Sequence, residues 1–104
     1  MKQRQSWGIG THADSRIVYE VPKDCVTFAA TAGYDQEVRA GSVVFVVEGD
    51  GAELFRSPVV RYESAPIYVR VKLDGVSRIT LVLEGAGDGI GADHGNWAEA
   101  RFLK

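Results

Sequence analysis

The chain has 104 residues, enough for one domain with a modest core and too few for an active site between two large domains. Hydrophobic residues make up 45% and charged residues 25%, the composition of a folding globular chain and far from disordered or collagen-like sequences. Twelve Lys and Arg against fourteen Asp and Glu give a net charge of −2, so there is no broad basic footprint for nucleic acid. Cys25 is the single cysteine, which excludes an internal disulfide and a multi-cysteine zinc site. The opening Met1-Lys2-Gln3-Arg4-Gln5-Ser6-Trp7 has no apolar run behind its charges, so neither a signal peptide nor a membrane anchor is expected in it. Nineteen Val and Ile against six Leu and Met favour strands over helices, because branching at Cβ suits the pleated sheet.

In chain order, residues 16–21 alternate, with Ile17, Tyr19 and Val21 on one face, and predict a half-buried strand. Residues 25–32 form a shorter candidate. The run Val43-Val44-Phe45-Val46-Val47 is apolar throughout and fits a central strand covered on both faces. Residues 52–57 follow, then residues 67–72, which alternate regularly. Residues 77–84 alternate too, with Ile79, Leu81 and Leu83 on one side and Val82 the apolar exception on the other. Residues 97–103 complete seven strands, and no segment carries a helical period. The expected fold is all-β, an antiparallel β-sandwich, over a single domain of residues 1–104 with residues 1–7 as an N-terminal extension.

Connections of two lengths alternate along the chain. Pro22-Lys23-Asp24, Gly49-Asp50-Gly51 and Asp74-Gly75 signal tight turns, in which Gly supplies positive φ and Pro or Asp starts the turn. Residues 33–41, 58–65 and 85–96 are long, and the last holds five of the twelve glycines. If every strand reverses direction, the short turns gather at one end of the sandwich and the long loops at the other. Residues 7–14, leading into the first strand, fall at the long-loop end. Sandwiches commonly place binding residues on such loops.

Collected there are Trp7, His12, Asp14, Tyr34, Asp35, Glu37, Arg61, Tyr62, Glu63, Asp88, Asp93, His94, Asn96 and Trp97. Flat aromatic faces beside carboxylates, amides and imidazoles suit a sugar: rings cover the apolar C–H face and fixed polar groups meet the hydroxyls. Each residue also has a plainer reading. Trp97 near a strand start is equally a core residue, His12 and His94 equally satisfy loop backbone, and Asp35 equally serves a turn. The glycine- and aspartate-rich residues 85–96 offer hard oxygen donors for calcium, but their spacing matches no EF-hand. A Ser-His-Asp set drawn from Ser15 or Ser57 and either histidine lacks a nucleophile-elbow motif, and no carboxylate pair announces glycosidase spacing. Catalysis is not expected, and Cys25 reads as a small core residue.

The stretch Gly8-Ile9-Gly10-Thr11-His12-Ala13-Asp14-Ser15-Arg16-Ile17-Val18-Tyr19 resembles the opening signature of the NPCBM family of carbohydrate-binding modules, also classified as carbohydrate-binding module family 51. Similar segments follow in order: Phe28-Ala29-Ala30-Thr31-Ala32-Gly33-Tyr34-Asp35, then Gly41-Ser42-Val43-Val44-Phe45-Val46-Val47, and finally Asp93-His94-Gly95-Asn96-Trp97-Ala98-Glu99-Ala100. The resemblance implies a galactose-binding-like jelly roll, here lacking an N-terminal strand, and a noncatalytic module that recognises galactose-containing glycans. It implies sugar contacts from His12, Tyr34, Asp35, His94, Asn96 and Trp97, and a structural calcium with Asp88, Asp93 and Glu99 as acidic candidates. Glu99 departs from the Asp common at that position in the family. The implied partners are a glycan with terminal galactose or a related sugar and the catalytic domain of an attached glycoside hydrolase, with no nucleic acid and no membrane. The implied setting is extracellular or periplasmic. The alternative is a structural or protein-interaction sandwich without sugar binding, in which a sheet edge bared by a missing first strand pairs with a second copy as a homodimer.

Overall fold

Nine strands and no helix follow one another along the described residues: β1 (Trp7–His12), β2 (Ser15–Glu20), β3 (Thr27–Tyr34), β4 (Ser42–Gly49), β5 (Ala52–Arg56), β6 (Val60–Arg61), β7 (Ile67–Lys72), β8 (Arg78–Gly85) and β9 (His94–Leu103). The structure is a computed structural model and describes residues 7–12, 15–34, 42–61, 64–85 and 94–104; for Trp7–His12, Tyr34 and His94 it describes the backbone alone. Sheet I has the order β1-β9-β3-β7, and sheet II has the order β2-β8-β4-β5, with β6 also paired to β4. All pairings are antiparallel.

The seven predicted strands are all present, and the apolar run of β4 is central, held between β8 on one side and β5 with β6 on the other. Two strands are additional. Residues 7–12, expected as a lead-in, form β1 at the edge of sheet I against β9; the strand that the resemblance places before Gly8 falls on residues 1–6, which lie outside the described residues. Gly8 and Gly10 hide β1, because glycine interrupts the apolar alternation that marks a strand. β6 lies within an expected long loop. It continues the direction of β5 along β4 after a break at Ser57-Pro58-Val59, so the chain still leaves it at the predicted end.

At the break, Ser57 bridges to β4: its backbone N–H donates to the Phe45 carbonyl at 2.9 Å, and its hydroxyl accepts from the Phe45 N–H at 2.9 Å. The same hydroxyl donates to the Pro58 carbonyl at 2.7 Å. A side chain here satisfies buried backbone that a proline-interrupted strand leaves open.

Between the sheets, Phe28, Trp97 and Phe102 from sheet I meet Phe45, Ile79, Leu81 and Leu83 from sheet II, all buried. Each large apolar side chain so buried contributes about 1.5–3 kcal/mol. Cys25 is also buried, a free thiol in the core.

The outer face of sheet II explains why Val82 is apolar. Arg16, Val82, Val46 and Arg56 stand in one row across β2, β8, β4 and β5. Arg16 pairs with Glu48, and Arg56 pairs with Glu84 at 2.9 Å and Glu53 at 3.0 Å. Long arginine stems running to carboxylates on other strands cover apolar neighbours, and both valines are buried. Hydrogen bonds to Glu53 and then Glu84 push the Arg56 guanidinium above its ordinary range.

Candidate functional site

Strand direction brings the C-terminal ends of β1, β3, β6 and β8 and the N-terminal ends of β2, β4, β7 and β9 to one end of the sandwich. The long connections therefore gather at one end, as their alternation with short turns predicts, although several residues assigned to its loops lie on strands. His12 of β1 stands opposite His94 of β9, and Tyr34 of β3 stands opposite Gly95 of β9 on the other side. With strands about 4.8 Å apart, the three backbones lie within roughly 10 Å across the top of sheet I.

Asn96 occupies the next row, between Gly10 and Gly33, and is half-buried. Its amide is the only side chain longer than a hydrogen in that row, so sheet I has a notch there with donor and acceptor atoms at its centre. Three residues beyond His12 the chain enters β2. There Ser15, Arg16, Val82, Glu84 and Gly85 line an open depression of about 420 Å³ on sheet II. Its Arg16 and Glu84 are already engaged with Glu48 and Arg56.

Below this rim lies a packed floor. Trp97 is 1% exposed, with its ring edge-on to Phe45 at 5.0 Å and to Phe28 at 6.5 Å. The expectation of Trp97 as a sugar-stacking face is corrected: alternation along β9 turns Trp97 inward where Asn96 faces outward, and the ring holds the two sheets together. Gly95 also faces inward, and a Cβ there would stand 2.8 Å from Phe45 Cζ and 3.0 Å from Leu83 Cδ1. Only glycine lets β9 approach sheet II this closely in the row next to the His12–His94 pair. Gly95 escapes sequence reading because a glycine-rich stretch reads as loop; the signal available was its place within Asp93-His94-Gly95-Asn96-Trp97.

Other expected residues lie apart. Trp7 is at the far end of β1 from His12, opposite Ala100. Glu99 is exposed, with φ of 52°, in a bulge where β9 carries one extra residue against both β1 and β3. Five strand residues, roughly 16 Å at the usual rise, separate it from His94, so Glu99 is not part of the loop-end group. Asp35, Asp88 and Asp93 lie outside the described residues. Among the described residues no group of three His, Cys, Asp or Glu gathers to hold a metal ion, so these residues alone do not compose the expected calcium site. Ser57, once a candidate nucleophile, is buried with its hydroxyl committed to Phe45 and Pro58.

Comparison with known proteins decides the family. Residues 2–103 match the NPCBM/NEW2 domain. The chain belongs to the NPCBM/NEW2 family. It is 37% identical over 97 residues to a Renibacterium salmoninarum protein named "Putative endo-alpha-N-acetylgalactosaminidase", a match covering 92% of this chain and 6% of that protein. The NPCBM/NEW2 chain thus spans a small part of its curated relative. Among solved structures, it superposes with a TM-score of 0.86 and 34% identity on the CBM51 module of Clostridium perfringens GH95 in complex with methyl-galactose, covering 92% of this chain and 69% of that one. It superposes with a TM-score of 0.85 and 34% identity on CBM51-2 with the INT domains of Clostridium perfringens ZmpB in complex with GlcNAc, covering 91% and 21%. The fold is the galactose-binding-like β-sandwich of these modules, and its family is one of carbohydrate-binding modules that stand within larger enzymes.

Proposed function

We propose that this NPCBM/NEW2 domain is a noncatalytic module that binds a glycan with terminal galactose, or a related sugar, through the long-loop end, and that it directs an attached glycoside hydrolase to that glycan outside the cell. The observation that carries the reading is the His12–His94 pair at the long-loop end of sheet I, with Tyr34 in the adjoining row and Asn96 in the notch one row further on, in a chain whose solved neighbour holds methyl-galactose. Asp35 follows Tyr34 directly and completes the proposed polar set. Such groups orient sugar hydroxyls without any requirement for a nucleophile or a general acid. Trp97 acts from beneath, as the support that fixes β9. Calcium, if held, falls to Asp88 and Asp93 with backbone carbonyls and water, since calcium takes six to eight oxygen ligands.

Titration of methyl-galactose, GlcNAc and lactose against wild type, Asn96→Ala and Asp35→Ala, with melting curves in excess calcium and in EDTA, tests both parts. Selective, weak binding of the galactosides is expected, lost by about tenfold or more in each variant while the melting temperature holds, a loss equivalent to about 1.4 kcal/mol. Calcium at a hundredfold excess over its Kd is expected to stabilise the fold by about 2.7 kcal/mol. Unchanged affinity in both variants removes the loop-end assignment. Superimposable melting curves remove the metal.

A further inference from the structure

The outer face of sheet I differs in kind from that of sheet II. Across β9, β3 and β7 its rows read Ala98–Thr31–Tyr68, then Arg101–Ala29–Arg70, then Leu103–Thr27–Lys72. Tyr68 is 85% exposed, the most exposed large hydrophobic residue described. Its row partners are a threonine and an alanine, so its ring stands clear of the sheet. The next row holds two arginines flanking Ala29, which is 3% exposed although it faces outward, as expected when two stems lie across it.

None of these cations has a carboxylate within ion-pair distance among the described residues; the ion pairs found all lie on sheet II. The Arg101 guanidinium donates to the Glu99 carbonyl at 2.7 Å, which fixes its position and leaves most of its five donors available. Glu99 is the one acid described on this side, set against Arg70, Lys72 and Arg101. In a chain of net charge −2, a tyrosine beside three cations that have no ion-pair partner among the described residues is a local reversal of sign.

We infer that Tyr68, Arg70 and Arg101 form a second saccharide site, on the outer face of sheet I running away from the long-loop end and sharing no residue with the loop-end set, for an anionic sugar bearing a carboxylate or sulfate. Tyr68 and Arg70 are two residues apart on one face, roughly 7 Å along the strand, and Arg70 and Arg101 are two strands apart, roughly 10 Å. The ring supplies an apolar platform for a pyranose face. The guanidiniums supply charge-assisted hydrogen bonds to a planar carboxylate or to sulfate oxygens. The aromatic platform favours a sugar over an acidic peptide, for which the cations alone would suffice. Lys72 in the adjoining row extends the positive field along the chain of a longer glycan. Nothing in this site draws on the loop-end residues.

Lactose, 3′-sialyllactose and 3′-sulfated lactose should be titrated at low ionic strength against wild type, Tyr68→Ala and the double variant Arg70→Ala/Arg101→Ala, with amide shifts followed by NMR. Both anionic sugars are expected to bind about tenfold more tightly than lactose, to perturb the Tyr68 and Arg70 amides, and to lose that advantage in the variants and on raising salt. Lactose binding, read at the Asn96 amide, stays as in wild type in these variants. If lactose does not bind at all, the loop-end reading fails while the Tyr68 shifts still report on this one. Because Arg101 supports the bulge, Arg70→Glu serves as a second charge variant distant from it. Equal binding of neutral and anionic sugars, or an advantage that survives these substitutions, overturns the inference, as does a face that responds only to acidic peptides.

Discussion

The two ends of the sandwich solve opposite problems with the same residue type. At the short-turn end, Asp50 and Gly51 adopt φ values of 47° and 89°, the left-handed pair that a two-residue hairpin requires. A Cβ on Gly51 would meet nothing within 4 Å. The Asp50 carboxylate accepts from the Ser77 and Arg78 N–H groups at 3.0–3.2 Å and so ties the β4–β5 turn to the start of β8. At the long-loop end, Gly95 sits in a regular strand, and what matters is space, since Phe45 and Leu83 occupy the volume its side chain would take. One end is thus fixed by local backbone chemistry, and the other by packing between strands far apart in sequence. The proposed binding rim stands on the second kind of support, so its precision depends on the core.

The largest effect that sharpens this contrast is at Trp97. Trp97→Ala removes the ring that touches both Phe28 and Phe45 and is expected to cost about 3–5 kcal/mol of stability, at about 4–8 °C of melting temperature per kcal/mol. Trp97→Phe should retain most of that stability and keep measurable sugar binding, because the ring acts as packing. Binding abolished in a folded, stable Trp97→Phe variant would instead make the indole a direct contact and blur the distinction between floor and rim.

The same contrast marks what was legible in the sequence. β2, β7 and β8 are visible because one face of each is wet and the alternation is written in the residues themselves. The turn end is visible for the same reason: Asp-Gly pairs carry their φ preferences locally. β1 and the first residues of β9 are not, since Gly8, Gly10 and Gly95 are held in strands by partners on other segments, a tertiary effect that outweighs propensity. Tyr68 lies in a strand visible from its alternation, but its isolation among Thr31, Ala98 and Ala29 depends on register, which no single strand reveals. The direction of Trp97 depends likewise on where β9 begins. The candidate end was legible from connection lengths alone, but the division of its residues between rim and floor required the pairing of β9 with β1 and β3.

A smaller effect is expected at Gly95. Gly95→Ala forces a methyl against Phe45 and Leu83 and should cost about 1–3 kcal/mol through overpacking. Its neighbours in the ladder are Thr11 and Tyr34, so the displacement passes to the rim, and galactoside affinity should fall with the stability. Gly33→Ala is the control: its Cβ would find only Pro66 at 3.9 Å, an ordinary contact, and stability should hold. If Gly95→Ala melts with wild type, β9 is less closely held to sheet II than its packing indicates.

The smallest effect belongs to Gly51, and it separates the two kinds of glycine. Gly51→Ala places a side chain in open space but in the left-handed region, where an L-residue costs about 1 kcal/mol. The loss should appear as a lower denaturant midpoint with an unchanged slope, because the surface exposed on unfolding is the same. Gly51→Asn should recover part of it, since asparagine tolerates that conformation by bonding locally, whereas Asn at position 95 could recover nothing, because volume is the constraint there. Galactoside affinity should be the same in wild type and both Gly51 variants, the turn being at the opposite end from the rim. A binding change on Gly51→Ala would show that strain at the turn reaches His12 and Tyr34 through the sheets, and that the two ends are mechanically one unit.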